Sequence, residues 1–159
     1  MCIGHVNAGV PESKSVRLKV HGENDDVALA HLWRLLHAEF KKELPVLVVK
    51  ERVLPLVASV KVLRNRASTI VLQTKLHAVV EVLCKLYNVP YLDVMPATVR
   101  KHFIGKANMG DRAETKRAVV ARCQVLGYMP DSCYDNDRAD AAATWDWAAA
   151  THLRRGMGG

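Results

Sequence analysis

Apolar and polar residues alternate over 15–20, with Val16, Leu18 and Val20 on one side, and this period predicts a half-buried strand. A short strand over 2–6 precedes it in this reading, joined through a turn containing Gly9 and Pro11. Asn24, Asp25 and Asp26 then open a helix, with acidic residues in the first turn where the macrodipole favours them. Leu29, Leu32, Trp33, Leu36 and Phe40 form its core stripe, Lys41 and Lys42 its last turn, and Pro45 its end. Val46, Leu47, Val48 and Val49 are a continuous apolar run, the pattern of a strand covered on both faces in a parallel or mixed sheet. After a basic segment over 61–66, a long helix is expected over 67–87, with Leu72, Leu76, Val79, Val80, Leu83 and Leu86 inside; Asn88 and Pro90 stop it.

The remaining pattern continues the alternation of strand and helix. Residues 91–94 read as a strand and 97–103 as a helix leading to Gly105 and Gly110. Asp111 and Glu114 form an Asp variant of the capping box, and the helix they begin closes at Gly127. A last helix is expected from Asn136 to about Leu153. The order predicts an α/β fold with helices on both faces of a sheet.

Composition narrows the class. The chain has 159 residues, 25% charged and 50% apolar, enough for one compact domain over 1–155 before a Gly-rich tail at 156–159. No apolar run reaches the roughly 18 residues of a membrane span, and the N-terminal residues lack a signal-peptide pattern, so the expected location is the cytoplasm and no membrane partner is expected. Lys and Arg number 23 against 16 Asp and Glu, a net charge of +7 that leans toward polyanionic partners. Cys2, Cys84, Cys123 and Cys133 show no metal-binding spacing and read as reduced thiols.

Two stretches can carry chemistry. Asp137 and Asp140 lie three apart in the first turn of the last helix, so their carboxylates share a face and can share a divalent cation with phosphate oxygens. The structural alternative is that Asp135, Asp137 and Asp140 only cap the helix, with Arg138 neutralising them, and spacing alone does not choose. The second stretch, 96–110, mixes Arg100, Lys101, His102 and Lys106 with glycines, and Lys116, Arg117 and Arg122 follow; it reads as a phosphate-contacting array or as a solvated basic face. Trp145 and Trp147 read as packing residues.

Taken together, Pro96-Ala97-Thr98-Val99-Arg100-Lys101, Gly105-Lys106-Ala107, Lys116 and Asp137-Arg138-Ala139-Asp140-Ala141 resemble the RuvC-type Holliday junction resolvases, phage-like members especially, over 15–153. The resemblance implies a ribonuclease H-like fold, a five-stranded mixed sheet flanked by helices. It also implies Mg²⁺- or Mn²⁺-dependent phosphodiester hydrolysis at four acidic residues, acting on branched or junction DNA as a homodimer. Asp137 and Asp140 match the last two acidic positions and would hold the metal. Arg100, Lys101, Lys106 and Lys116, with Lys61 and Arg64, are the implied DNA contacts.

The chain departs from that pattern at two positions. The strand bearing the family's first acidic residue is missing from this sequence, which is the expectation of a polypeptide beginning upstream, a rearranged sheet or a partner filling the gap. Where the next acidic residue ends the central strand, this chain has Lys50, and Glu51 follows on the opposite strand face. Glu51 is the catalytic candidate there. The alternative reading is a catalytically inactive nucleic-acid-binding relative, and the face bearing Leu76, Val80 and Leu83 is the candidate dimer surface.

Overall fold

The computed structural model describes residues 2–3, 10–52 and 60–153, with side chains described for 10–52 and 68–152. In chain order the elements are β1 (Cys2–Ile3), β2 (Glu12–Ser13), α1 (Asp25–Lys42), β3 (Val48–Glu51), α2 (Val60–Leu86), β4 (Tyr91–Val94), α3 (Pro96–Ile104), α4 (Arg112–Val125) and α5 (Asn136–Ala148). A π-helical turn, Ala149–Leu153, extends α5. The fold is mixed α/β and rich in helix. No described helix is long and apolar enough to cross a membrane.

The sheet differs from the expectation. Among the described residues the strands form two separate two-stranded ladders: β1 with β2, antiparallel, and β3 with β4, parallel. Residues 14–20 take no regular secondary structure, so the strand expected at 15–20 does not form. Alternation needs a neighbouring strand to become a ladder, and here the segment is held otherwise: Leu18 O meets His31 Nδ1 at 3.2 Å and Lys19 pairs with Asp25 at 2.9 Å. The apolar run at 46–49 enters its strand two residues late, with Val46 exposed and Lys50 and Glu51 inside β3.

The chain divides into two compact units, Arg17–Asp93 on one hand and Met1–Val16 with Val94–Gly159 on the other, where the sequence, without a composition break, reads as one domain. Residues 156–159 lie outside the described residues. In the unit Arg17–Asp93, α1 packs along α2. Phe40, Leu83, Cys84 and Val89 are buried together, with Leu36, Val48, Val79, Val80 and Tyr87 against them. Leu83 is fully buried and Val80 packs on this core, so both serve the interior of this unit, while Leu76 is half-buried. Leu86, expected inside, is exposed. The helix starts at Val60, so the basic segment at 61–66 is its first turns rather than a loop. It ends as Asn88 takes a left-handed conformation at φ 53°, with Val89 N donating to Cys84 O at 2.8 Å.

The other unit is built around α5. Ala139, Ala142, Ala143 and Ala148 are buried, and these small side chains let α3, α4 and the β1–β2 ladder pack against α5. Cys123 Sγ of α4 lies 3.6 Å from Ala139 O. Val99 and Phe103 of α3 and Val119 and Val120 of α4 complete the core. Helix ends follow local rules here. Asp111 Oδ1 accepts from Glu114 N at 2.7 Å, and Gly127 closes α4 at φ 72° with Tyr128 N donating to Cys123 O.

Candidate functional site

The first turn of α5 sorts its three aspartates by role. Asp135 is the cap: its Oδ1 accepts from Asp137 N at 2.9 Å and from Arg138 N at 3.1 Å. A hydrogen bond from Ser15, outweighing burial together with these amides, holds its carboxyl below the ordinary range. The side chains of Asp137 and Asp140 take no part in that cap, Asp137 entering it only through its backbone N–H. Arg138 does not serve them either, since its guanidinium reaches Cys133 Sγ and Ser13 Oγ at 3.6 and 3.5 Å. The helix-capping alternative thus holds for Asp135 as the cap and for Asp137 as an acidic residue of the first turn, and leaves Asp140 without a capping role.

Asp140 is partly buried, and burial pushes its carboxyl above the ordinary range. Arg100 of α3 and Lys116 and Arg112 of α4 act in the opposite direction, while the neighbouring charge of Asp137 adds to the rise. The charges of three cations on two helices thus act on one carboxylate. The same three cations line a cavity of about 130 Å³ at the N-terminus of α4. Asn108 and Gly110 form part of its wall, and Asp111 and Thr115 belong to it as well.

Of the DNA-contact residues expected from the sequence, the structure brings Arg100 and Lys116 together at this cavity. Lys101 and Lys106 are exposed and do not line it. Arg112 was not singled out, because an Arg just after a capping residue has no spacing signal of its own. Lys61 and Arg64 lie in the first turns of α2, and their side chains fall outside the described residues.

Glu51 ends β3 in the other unit and is exposed. Lys50 beside it donates to Glu81 Oε1 at 2.8 Å, to His77 Nδ1 at 3.2 Å and to Asp93. Burial alone would push Lys50 down, but the bonds to Asp93 and Glu81 outweigh it and hold the ammonium charged above its ordinary range. Tyr91 contributes its ring face, 5.6 Å from Nζ. Successive strand side chains alternate, so Glu51 leaves the face on which Lys50 meets α2.

A third cluster went unseen in the sequence. His102 Nε2 lies 2.9 Å from Asp146 Oδ2, and Tyr128 OH donates to Asp146 Oδ1 at 2.7 Å. Tyr128 also stands edge-on to Trp145, with centroids 5.8 Å apart, which bears out Trp145 as a packing residue.

The donor set bears on a metal. Carboxylate oxygens suit Mg²⁺, which commonly takes one or two carboxylates and completes its shell with water and substrate phosphate. Among the described residues no group of three or more His, Cys, Asp or Glu side chains is placed to hold a metal ion. Asp137 and Asp140 of α5 are two carboxylates, fewer than a cage made by protein alone requires.

No family model matches the chain, and no curated protein matches it. Among solved structures it is similar to RuvC of Thermus thermophilus, with a TM-score of 0.60 and 15% identity over 89% of this chain and 80% of that one. At that identity the likeness is one of fold.

Proposed function

We propose that this chain, with its RuvC-like fold, is a DNA-processing protein that binds branched DNA and hydrolyses phosphodiester bonds with Mg²⁺ or Mn²⁺. The observation that carries the reading is the gathering of Arg100, Arg112 and Lys116 around one cavity, with their charges also acting on Asp140 of α5. In this reading the three cations bind phosphate oxygens and neutralise charge building on the phosphorus. Asp137 and Asp140 would hold the ion, which supplies an activated water and stabilisation of the leaving oxygen. The buried alanines of α5 pack this helix against α3 and α4, with Asp140 half-buried and Asp137 exposed at its start.

The test is incubation of the purified chain with a four-way junction and Mg²⁺ or Mn²⁺. Cleavage is expected, and Asp137→Asn and Asp140→Asn should each lower it by about a hundredfold or more. Unchanged cleavage in both variants, or none by the unsubstituted chain, rejects hydrolysis at this site.

A second reading, a non-catalytic nucleic-acid-binding relative, is favoured by one observation. Lys50 stands where the resemblance calls for a carboxylate and engages Glu81 and Asp93 in ion pairs. Calorimetric titration with Mg²⁺ separates the two: specific binding lost in Asp140→Asn supports the hydrolase, and its absence beside intact junction binding supports the relative.

A further inference from the structure

We propose that another cavity of the unit built around α5, between α4 and the chain entering α5, receives one unstacked nucleobase, with Tyr134 as its stacking platform. The cavity measures about 370 Å³, within the roughly 300–1,000 Å³ of small-molecule sites. Val120 and Ala121 give it an apolar wall, and Arg117, Gln124, Tyr134 and Asn136 complete the lining. All six belong to one compact unit, and none lines the basic cavity at the N-terminus of α4. One cation beside an aromatic ring and two amides suits a flat heterocycle with hydrogen-bonding edges, not a phosphate.

Tyr134 is 76% exposed, yet the chain that presents it is fixed on both sides. Gln124 Nε2 donates to Asp131 O at 2.8 Å and to Cys133 O at 3.1 Å, and Cys133 N donates to Pro130 O at 2.9 Å. On the other side Asp135 caps α5 through Asp137 N and Arg138 N. The ring therefore stands in water on a backbone already ordered, which lowers the ordering cost of binding. Among the described residues the side chains of Tyr134, Arg117 and Asn136 make no hydrogen bond or ion pair, so their polar atoms are open to a ligand. Every base offers a π-face to an aromatic ring, and a guanidinium can donate to the O6 and N7 edge of guanine. Asn136 immediately precedes Asp137, so a base taken here comes from the neighbourhood of the phosphate that Asp137 and Asp140 would handle. That placement rests on the reading of the chain as a DNA-processing protein; the make-up of the cavity does not.

The full chain is titrated in EDTA at low salt with dye-labelled DNA strands of about eight nucleotides, followed by fluorescence anisotropy. One strand is abasic throughout and the other carries a single central guanine; their phosphates are the same, so the ratio of affinities reads the base alone. The guanine strand is expected to bind about tenfold more tightly. Tyr134→Ala should bring the two strands within about twofold of each other, and Tyr134→Phe, which keeps the ring, should preserve the ratio. Arg117→Gln should weaken the guanine strand more than the abasic one, by about threefold. Arg122→Ala, on the same helix and outside the cavity, should weaken both strands alike, because it removes only a charge.

Equal affinity for the two strands, binding of neither, a ratio unchanged in Tyr134→Ala, or a ratio lost as fully in Tyr134→Phe or Arg122→Ala overturns the proposal. So does an equal effect of Arg117→Gln on both strands. Circular dichroism of each variant separates lost binding from lost folding. Binding to a four-way junction, measured in parallel, tells whether the DNA-processing reading falls with the cavity or stands without it.

Discussion

Lys50 shows how much a single half-buried charge depends on residues distant in sequence. Its partners Glu81 and Asp93 lie 31 and 43 positions away, on α2 and β4. The sequence exposes Lys50 as an oddity at the end of an apolar run but says nothing of what surrounds it. His77, a third neighbour on α2, accepts from the Lys50 ammonium. Burial, with Lys50 adding to it, pushes the His77 imidazole below its ordinary value of 6.5, against the weaker pull of Asp93 and Glu81. The unfolded chain therefore takes up this proton first as pH falls through 6.5, and stability should fall with it. Thermal unfolding between neutral and mildly acidic pH checks this. His77→Gln keeps an acceptor for Lys50 and should flatten that part of the profile, and an identical profile in the variant removes His77 as its source.

At the scale of elements, helices were read well and strands poorly. The expected Asp111–Glu114 cap, the stops at Asn88 and Gly127 and the start at Asn136 all appear in the structure. Each depends on side chains and backbone within about six positions of one another. The strand at 15–20 fails and the one at 46–49 slides because a strand is completed by a partner that the local pattern does not contain. Gly110 shows a local requirement with a consequence for the site. Its φ of 88° is a left-handed conformation, and a Cβ there would meet Glu114 Oε2 at 2.7 Å. The glutamate tip can swing away, so the backbone sets the cost. Gly110→Ala should lower stability by about 1 kcal/mol, read as a shift in the urea midpoint, and Gly110→Asn by less, since Asn tolerates this region.

For the whole molecule the net charge of +7 describes a tendency, and the structure gives part of it an address. Junction affinity should fall steeply with salt. Replacing Arg100, Arg112 or Lys116 should each flatten the slope of log affinity against log salt by about one unit, while Lys101→Ala and Lys106→Ala change it less. Fluorescence anisotropy over about 50–200 mM salt measures this, and equal slopes across all five variants would refute a localised phosphate contact. The amino-acid sequence by itself determined most helix ends, though not the start of α2, together with the mixed α/β class and the placing of Asp137 and Asp140 on one helical face, because caps, turns and helical spacing are short-range. Only the tertiary structure decided that Asp140 answers to Arg100, Arg112 and Lys116 instead of Arg138, and that Lys50 is enclosed by carboxylates. Coulombic attraction and desolvation act through space, and those distances are set by packing, not by separation along the chain.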